Sequence, residues 1–335
     1  MPAHSSVVLH IGNALPHGGT DDSKRIVALW RRLGRFFDGR EVSLQAGASR
    51  KPRNYQMSLD CSAVIRLLNN AVRTHGSFNN CHAAWVQDAG IERGARLTLQ
   101  IGNRSKLSES ESHEVAALFL QQLVLATNIT LPGAIQLLDV RFEGPGAHRY
   151  EAQRFDSRVM TGTLQAARAN TWPALNRVSF PAVWNWLAET GSAHTDTAIR
   201  GINKVLFSLL KIAEQRNEFS ARTVLMLVFQ LEVLLDCRHV HSHLIARNRA
   251  QLILGKIPEA ADCFAALYDI RNSLFMGDQP VHRPQFVAHD AGAEIRDQLD
   301  QHHTTVELGN ALVLALLQDL VRRKSLAYQF TEHLD

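Results

Sequence analysis

From Phe180 to the C-terminus the apolar residues recur three and four positions apart almost without interruption, and few folds are compatible with that pattern. Val183, Trp184, Trp186 and Leu187 begin a short helix, and Gly191 to Thr197 breaks it. Longer segments follow at Ile202 to Gln215, Thr223 to Cys237, Leu244 to Leu254, Ala260 to Phe275 and Val306 to Leu326, each with an apolar stripe along one side. Consecutive amphipathic helices joined by short turns bury their stripes on one another. The pattern therefore predicts an all-α antiparallel bundle over residues 179–335. The connection from Gly277 to about Arg296 contains Pro280 and Pro284 and is not expected to be helical throughout.

The first 178 residues read differently and predict an α+β domain. Val7 to Ile11 and Arg96 to Ile101 read as strands, the second alternating apolar with polar positions, and Gln136 to Phe142 is a further strand candidate. Asp21 or Asp22 is a candidate cap for a helix that carries Ile26, Leu29, Trp30, Leu33 and Phe37 on one stripe. Val64, Leu67, Leu68 and Val72 mark another helix. Ser108 with Glu111 forms a capping-box pattern ahead of Val115, Leu118, Phe119 and Leu123. Gly144-Pro145-Gly146 is a turn, and residues 147–178, polar and weakly patterned, read as a loop or connector. No internal repeat or low-complexity tract stands out.

A chain of 335 residues with 45% hydrophobic content has room for two such domains with real cores. The net charge of +4 is uneven: residues 1–197 hold 21 Lys and Arg against 16 Asp and Glu, and the remainder holds 15 against 16. Any broad attraction to nucleic acid would come from the N-terminal half, although an excess this small is also what an ordinary solvated surface carries. Cys61, Cys81, Cys237 and Cys263 are far apart and form no CxxC pair, which points to reduced thiols in a cytoplasmic protein. The longest apolar segment, Val224 to Leu235, is interrupted by Gln230 and Glu232. The N-terminus lacks a basic region followed by an apolar core. Neither a membrane span nor a secretory signal is expected.

The most informative short segment is Leu267-Tyr268-Asp269-Ile270-Arg271-Asn272-Ser273-Leu274-Phe275-Met276-Gly277-Asp278. Arg271 and Asn272 lie near the end of an apolar helical pattern that Gly277-Asp278 stops. Burying a guanidinium beside Ile270 and Leu274 is costly unless an anion meets it. Two readings stay open. In one, Arg271 holds a phosphate bidentately and Asn272 orients it or the ligand. In the other, Arg271 forms a structural ion pair with Asp269, Asp278 or Glu232.

This segment resembles the HEPN superfamily, most closely its Apea-like branch, whose motif runs Arg-Asn, three variable residues, then His-Gly. Arg271, Asn272 and Gly277 fall on that pattern, and Met276 stands where the histidine is expected. The likeness covers roughly residues 180–326. Leu231 to Leu235 is similar to the family's Glu-x-Leu-Leu helix, and Arg247-Asn248-Arg249-Ala250 with Leu252 is similar to the helix after it. The resemblance implies an HEPN-like bundle, a homodimer whose seam includes Phe275 and Met276, and metal-independent RNA chemistry shared across two copies. In active members of the family a histidine moves the proton and an arginine steadies the developing charge. A thioether does neither task of the histidine, so RNase activity is expected to be weakened or lost.

The resemblance thus implies a microbial defence or toxin-type protein that binds RNA, or a protein partner, through the Arg271 turn, with the N-terminal domain sensing a trigger or partner. A second reading is an active endoribonuclease in which Arg271 and Asn272 work with His282 on the Pro-flanked loop. A third is a non-catalytic structural or regulatory subunit. His302-His303 is a further histidine pair, which no motif supports. Cys237, His239, His241 and His243 resemble a metal cluster, but no second cluster completes it and a helix-terminal role is favoured; no metal or cofactor is expected. His17-Gly18-Gly19-Thr20 offers backbone N–H groups to an anion, yet it lacks the Lys and length of a P-loop and reads as a plain loop. Trp172, Trp184 and Trp186 are of a type that stacks on bases, with core or interface positions favoured.

Overall fold

The computed structural model describes residues 3–46, 51–104, 106–143, 154–175, 177–199, 201–214, 221–237, 242–278 and 293–331. The chain divides into two compact units: Met1–Thr161 with Ser179–Thr197, and Gly162–Val178 with Ala198–Asp335. A division at 178/179, as the sequence suggests, would separate the segments differently. The helix at 180–190 groups with the N-terminal unit, because its aromatic side chains pack there, and the segment before it groups with the C-terminal unit.

In the N-terminal unit the order is β1 (Ala3–Asn13), α1 (Thr20–Phe36), β2 (Arg40–Leu44), β3 (Arg53–Asp60), α2 (Ser62–His75), α3 (Phe78–Gln87), β4 (Ala95–Asn103), α4 (Glu109–Thr130) and β5 (Leu138–Glu143), with α6 (Phe180–Thr190) joining later. The strands form one antiparallel sheet in the order β2-β3-β4-β1-β5. Register follows the two-residue period. Val7 and Leu9 lie opposite Leu99 and Leu97, and Leu59 and Met57 lie opposite Leu99 and Ile101 on the other side of β4. These side chains are all buried, whereas His10, Arg96, Gln100 and Gln56 on alternate positions are exposed. One face is thus core and the other polar, as antiparallel sheets allow. Ile26, Leu29, Trp30 and Leu33 of α1 and Val115, Phe119 and Leu123 of α4 complete the core. Phe37 is fully buried in it, 4.9 Å from the Phe119 ring and 4.7 Å from that of Trp184.

Several expectations need correcting. Gly19, not an aspartate, is the N-cap of α1; Asp21 and Asp22 occupy its first turn, where negative charge favours the helix dipole. Residues 158–169 are a helix, α5 (Arg158–Ala169), rather than loop. Its buried residues Met160, Leu164 and Ala167 do keep helical spacing, but the stripe is short and Gly162 interrupts it. The Ser108 capping box is present, with the Ser108 side chain accepting from Glu111 N–H and the Glu111 carboxylate accepting from Ser108 N–H.

The C-terminal unit is helical: the later part of α5, then α7 (Ile202–Glu214), α8 (Ala221–Leu234), α9 (Ser242–Leu254), α10 (Phe264–Met276) and α11 (Ala293–Arg323). α8 lies in the middle, packed on α7, α10 and α11. Gly309 lets α11 approach this closely, since a Cβ there would meet Leu227 at 3.1 Å and Leu267 at 3.2 Å. α11 begins well before Val306, because its first turns are polar and carry no apolar stripe. By length and composition its segment Asp300–Arg323 would pass for a membrane span, but 89% of that window is buried inside the protein, the position of a core helix.

Candidate functional site

α10 places the motif that the sequence singled out. Phe264, Leu267, Tyr268 and Ile270 are buried and anchor the helix. It ends in a Schellman turn: Gly277 takes φ of +81°, its N–H reaches Leu274 O, and Asp278 N–H reaches Ser273 O at 2.9 Å. Arg271 sits half-buried one turn and a half before that stop. Its guanidinium carbon lies 5.9 Å from the Tyr268 ring centre and 5.5 Å from that of Phe275. Its hydrogen bond to Asn272 Oδ1 is long, at 3.5 Å. Among the described residues no carboxylate stands at ion-pair distance from Arg271, so of the two readings the ion pair with Asp269, Asp278 or Glu232 is not formed. Phe275 and Met276 beside it are 69% and 78% exposed.

The neighbouring cations are used differently. Arg247 Nε meets Asp262 Oδ2 at 2.6 Å. Arg249 donates to Leu235 O at 2.8 Å and Asp236 O at 2.6 Å, closing the end of α8, and lies over the Phe330 ring. Tyr268 is buried beneath Arg271, and that burial, with Cys237 and Glu232 nearby, pushes its phenol well above the usual range. It is a neutral support for the guanidinium at any ordinary pH.

Among the described residues no other C-terminal candidate joins Arg271. His282, His239 and His241 lie outside the described residues. His302 and His303 lie inside α11 rather than before it. His303 Nδ1 is 3.4 Å from Glu307 Oε1, and no hydrogen bond or ion pair connects either histidine to Arg271 among the described residues. Burial lowers the His303 pKa and raises that of Glu307 to about 7. Cys237 is a buried thiol pushed up to about 11 by burial, and among the described residues no three ligands assemble a metal site. Trp172, Trp184 and Trp186 are buried, in the core positions that the sequence favoured.

A second constellation lies in the N-terminal unit, and of its residues the sequence singled out only His17, for the backbone of its loop. Two amides of the loop His17-Gly18-Gly19 are already taken: His17 N–H donates to Ser157 Oγ and Gly18 N–H to Asn79 Oδ1. What it presents is the His17 ring, stacked on His82 with centroids 4.1 Å apart and planes 15° from parallel. His82 Nε2 is 3.1 Å from Pro16 O, and its Nδ1 is 2.9 Å from Arg93 Nη2. A carbonyl only accepts and a guanidinium only donates, so His82 is the neutral Nε2–H tautomer. Burial first, and the nearby His82 and Arg158 after it, lower the His17 pKa to about 4; burial and Arg93 lower that of His82.

Arg93 lies 4.4 Å over the Trp85 ring, and its Nε is buried without a partner. Arg158, at the start of α5, grips the buried Asp156 through Nε at 3.1 Å and Nη2 at 2.7 Å. Burial pushes the Asp156 carboxyl up, and the Arg158 hydrogen bonds outweigh it, leaving the pKa lowered. Gln136 braces the floor, accepting from Ser157 Oγ at 2.7 Å and donating to Leu15 O at 2.8 Å. Two guanidiniums thus face one carboxylate and two neutral imidazoles.

Compared with protein-family models, curated proteins and solved structures, the chain shows no significant match.

Proposed function

We propose that the C-terminal unit is an HEPN-like domain that binds RNA through the Arg271 turn of α10, with cleavage weak or lost. One observation carries this reading: a half-buried guanidinium without a carboxylate partner among the described residues, next to an exposed aromatic ring. Guanidinium matches phosphate bidentately, and an exposed Phe275 gives an unpaired base a surface to stack on. Asn272, exposed and touching Arg271, supplies a further donor and acceptor. Met276 has no proton to exchange, and a positioned acid–base group is typically worth ~10²–10⁴ in rate. The HEPN assignment, the homodimer with Phe275 and Met276 at its seam, and the role in microbial defence rest on the resemblance of residues 267–278 and the helices before them.

A protein partner at the same turn is the second reading, favoured by the adjacent exposure of Phe275 and Met276. Binding of single-stranded RNA by the purified chain across a salt series separates the two. RNA binding predicts an affinity that falls with salt and weakens in Arg271→Ala without loss of fold. Unchanged RNA affinity in that variant overturns the reading. Met276→His tests the chemistry: metal-independent cleavage should appear if the remaining pocket is intact.

A further inference from the structure

We propose that the N-terminal unit contains a separate oxyanion site, built by His17, His82, Arg93 and Arg158, that takes the phosphate group of a nucleotide-like ligand. It does not depend on the reading of the Arg271 turn.

Proteins rarely bury a guanidinium without an anionic partner, because the lost hydration is returned only by a matching charge. Arg93 is half-buried, pairs with no carboxylate among the described residues, and leaves its buried Nε without a partner. What holds it are a neutral imidazole nitrogen and an indole face. These fix its direction and leave its charge uncompensated. Arg158 adds a second guanidinium, and Asp156 cancels one of the two charges while orienting Arg158 through a two-point grip. The cluster therefore carries an excess of one positive charge in a partly desolvated setting, where an anion gains most.

The imidazoles suit the same ligand. His82 is locked as a donor to Pro16 O and an acceptor from Arg93, so it acts as a brace. His17 makes no hydrogen bond through its ring among the described residues and is half-buried beside the two arginines. With no anion present, protonating His17 would desolvate a charge and place a third positive charge in the cluster; burial first, and the neighbouring groups after it, lower its pKa. An oxyanion reverses the sign of its surroundings and turns His17 into a donor. Binding is then coupled to proton uptake and strengthens as pH falls. Two guanidinium forks and an imidazole offer more donors than one carboxylate can use, which favours a phosphate. Trp85, 37% exposed under Arg93, extends the site with a flat apolar edge for a base.

The test is calorimetric titration of the full chain with inorganic phosphate and with a nucleoside monophosphate, at pH 6 and pH 8. Saturable binding is expected, tighter at pH 6 and tighter for the nucleotide. It should weaken at least tenfold in Arg93→Gln and in His17→Asn, and be unchanged in Arg271→Ala. Thermal melting checks that each variant is folded. In the unaltered protein, phosphate should also shift the His17 and His82 ring proton signals in NMR spectra, which keeps the test independent of any variant's stability. Absence of saturable binding by either ligand overturns the proposal, as do imidazole signals that stay fixed, or equal affinity in folded Arg93→Gln. Loss of phosphate binding in Arg271→Ala alone would move the site to α10 and overturn it equally.

Discussion

Arg93 and Arg271 are both half-buried guanidiniums near aromatic rings, with no carboxylate at ion-pair distance among the described residues, yet their settings differ. Arg93 is held by an imidazole whose own tautomer is fixed from its other side, next to a hydrogen-bonded floor of Gln136, Ser157 and Asp156. Arg271 has a single long bond to its sequence neighbour and stands beside two exposed side chains at a helix end. The first arrangement is preorganised for a small group of fixed shape. The second adapts to a larger ligand that brings its own surface. An unpaired cation is therefore not one kind of site; the number of groups that fix its direction decides which ligand it suits.

That comparison requires the N-terminal unit to be tightly packed, and Phe37 tests this with the largest expected effect. Its ring is fully buried among Phe36, Phe119, Phe180 and Trp184. Phe37→Ala should cost about 3–5 kcal/mol in urea unfolding. A cost under about 1 kcal/mol would mean a loose core and remove the contrast.

Arg271→Ala should lose about 1.5–3 kcal/mol of RNA affinity, the range for hydrogen bonds to charged groups. It should also reduce the salt slope by about one. Filter binding at several salt concentrations measures both, and a lower affinity with an unchanged slope would point to lost stacking rather than a lost phosphate contact.

The two units should respond to pH with opposite signs. Glu307 in the C-terminal unit has its folded pKa raised to about 7 from 4.5, so the unfolded chain binds fewer protons between those values and stability falls as pH rises through them. His17 in the N-terminal unit has its folded pKa lowered to about 4 from 6.5, so stability falls as pH drops through that window. Glu307→Gln should therefore gain roughly 1–3 kcal/mol at pH 8 and flatten the neutral-side slope, whereas His17→Asn should flatten the acid side. Denaturation curves from pH 4 to 8 would show both; a gain in the Glu307 variant at pH 4 as large as at pH 8 would reject the burial account.

The smallest effect is local. Ser108→Ala removes one half of the α4 capping box and should cost about 1 kcal/mol in the same unfolding measurement.

The parts legible in the sequence were those whose signal is local. β4 shows as alternation, the start of α4 as a cap, and α7 to α10 as apolar stripes. β3 carries the same alternation in Tyr55, Met57 and Leu59, but its polar partners and short neighbour β2 hid it. α5 and the first turns of α11 were hidden because a helix held by tertiary contact needs no continuous stripe of its own. The sites divide in the same way. Arg271, Asn272, Phe275 and Met276 share two turns of one helix and read as a motif. His17, His82, Arg93 and Arg158 come from separate elements, and only the folding of α1, α3, β4 and α5 around one loop brings them together.

The central claim, that RNA meets the Arg271 turn, is tested most directly by ultraviolet crosslinking of single-stranded RNA to the full chain, followed by mass-spectrometric mapping of the attached peptides. The account predicts crosslinks within residues 264–276, centred on Phe275 and lost in Arg271→Ala. Crosslinks confined to the N-terminal unit, with none on α10, would contradict it.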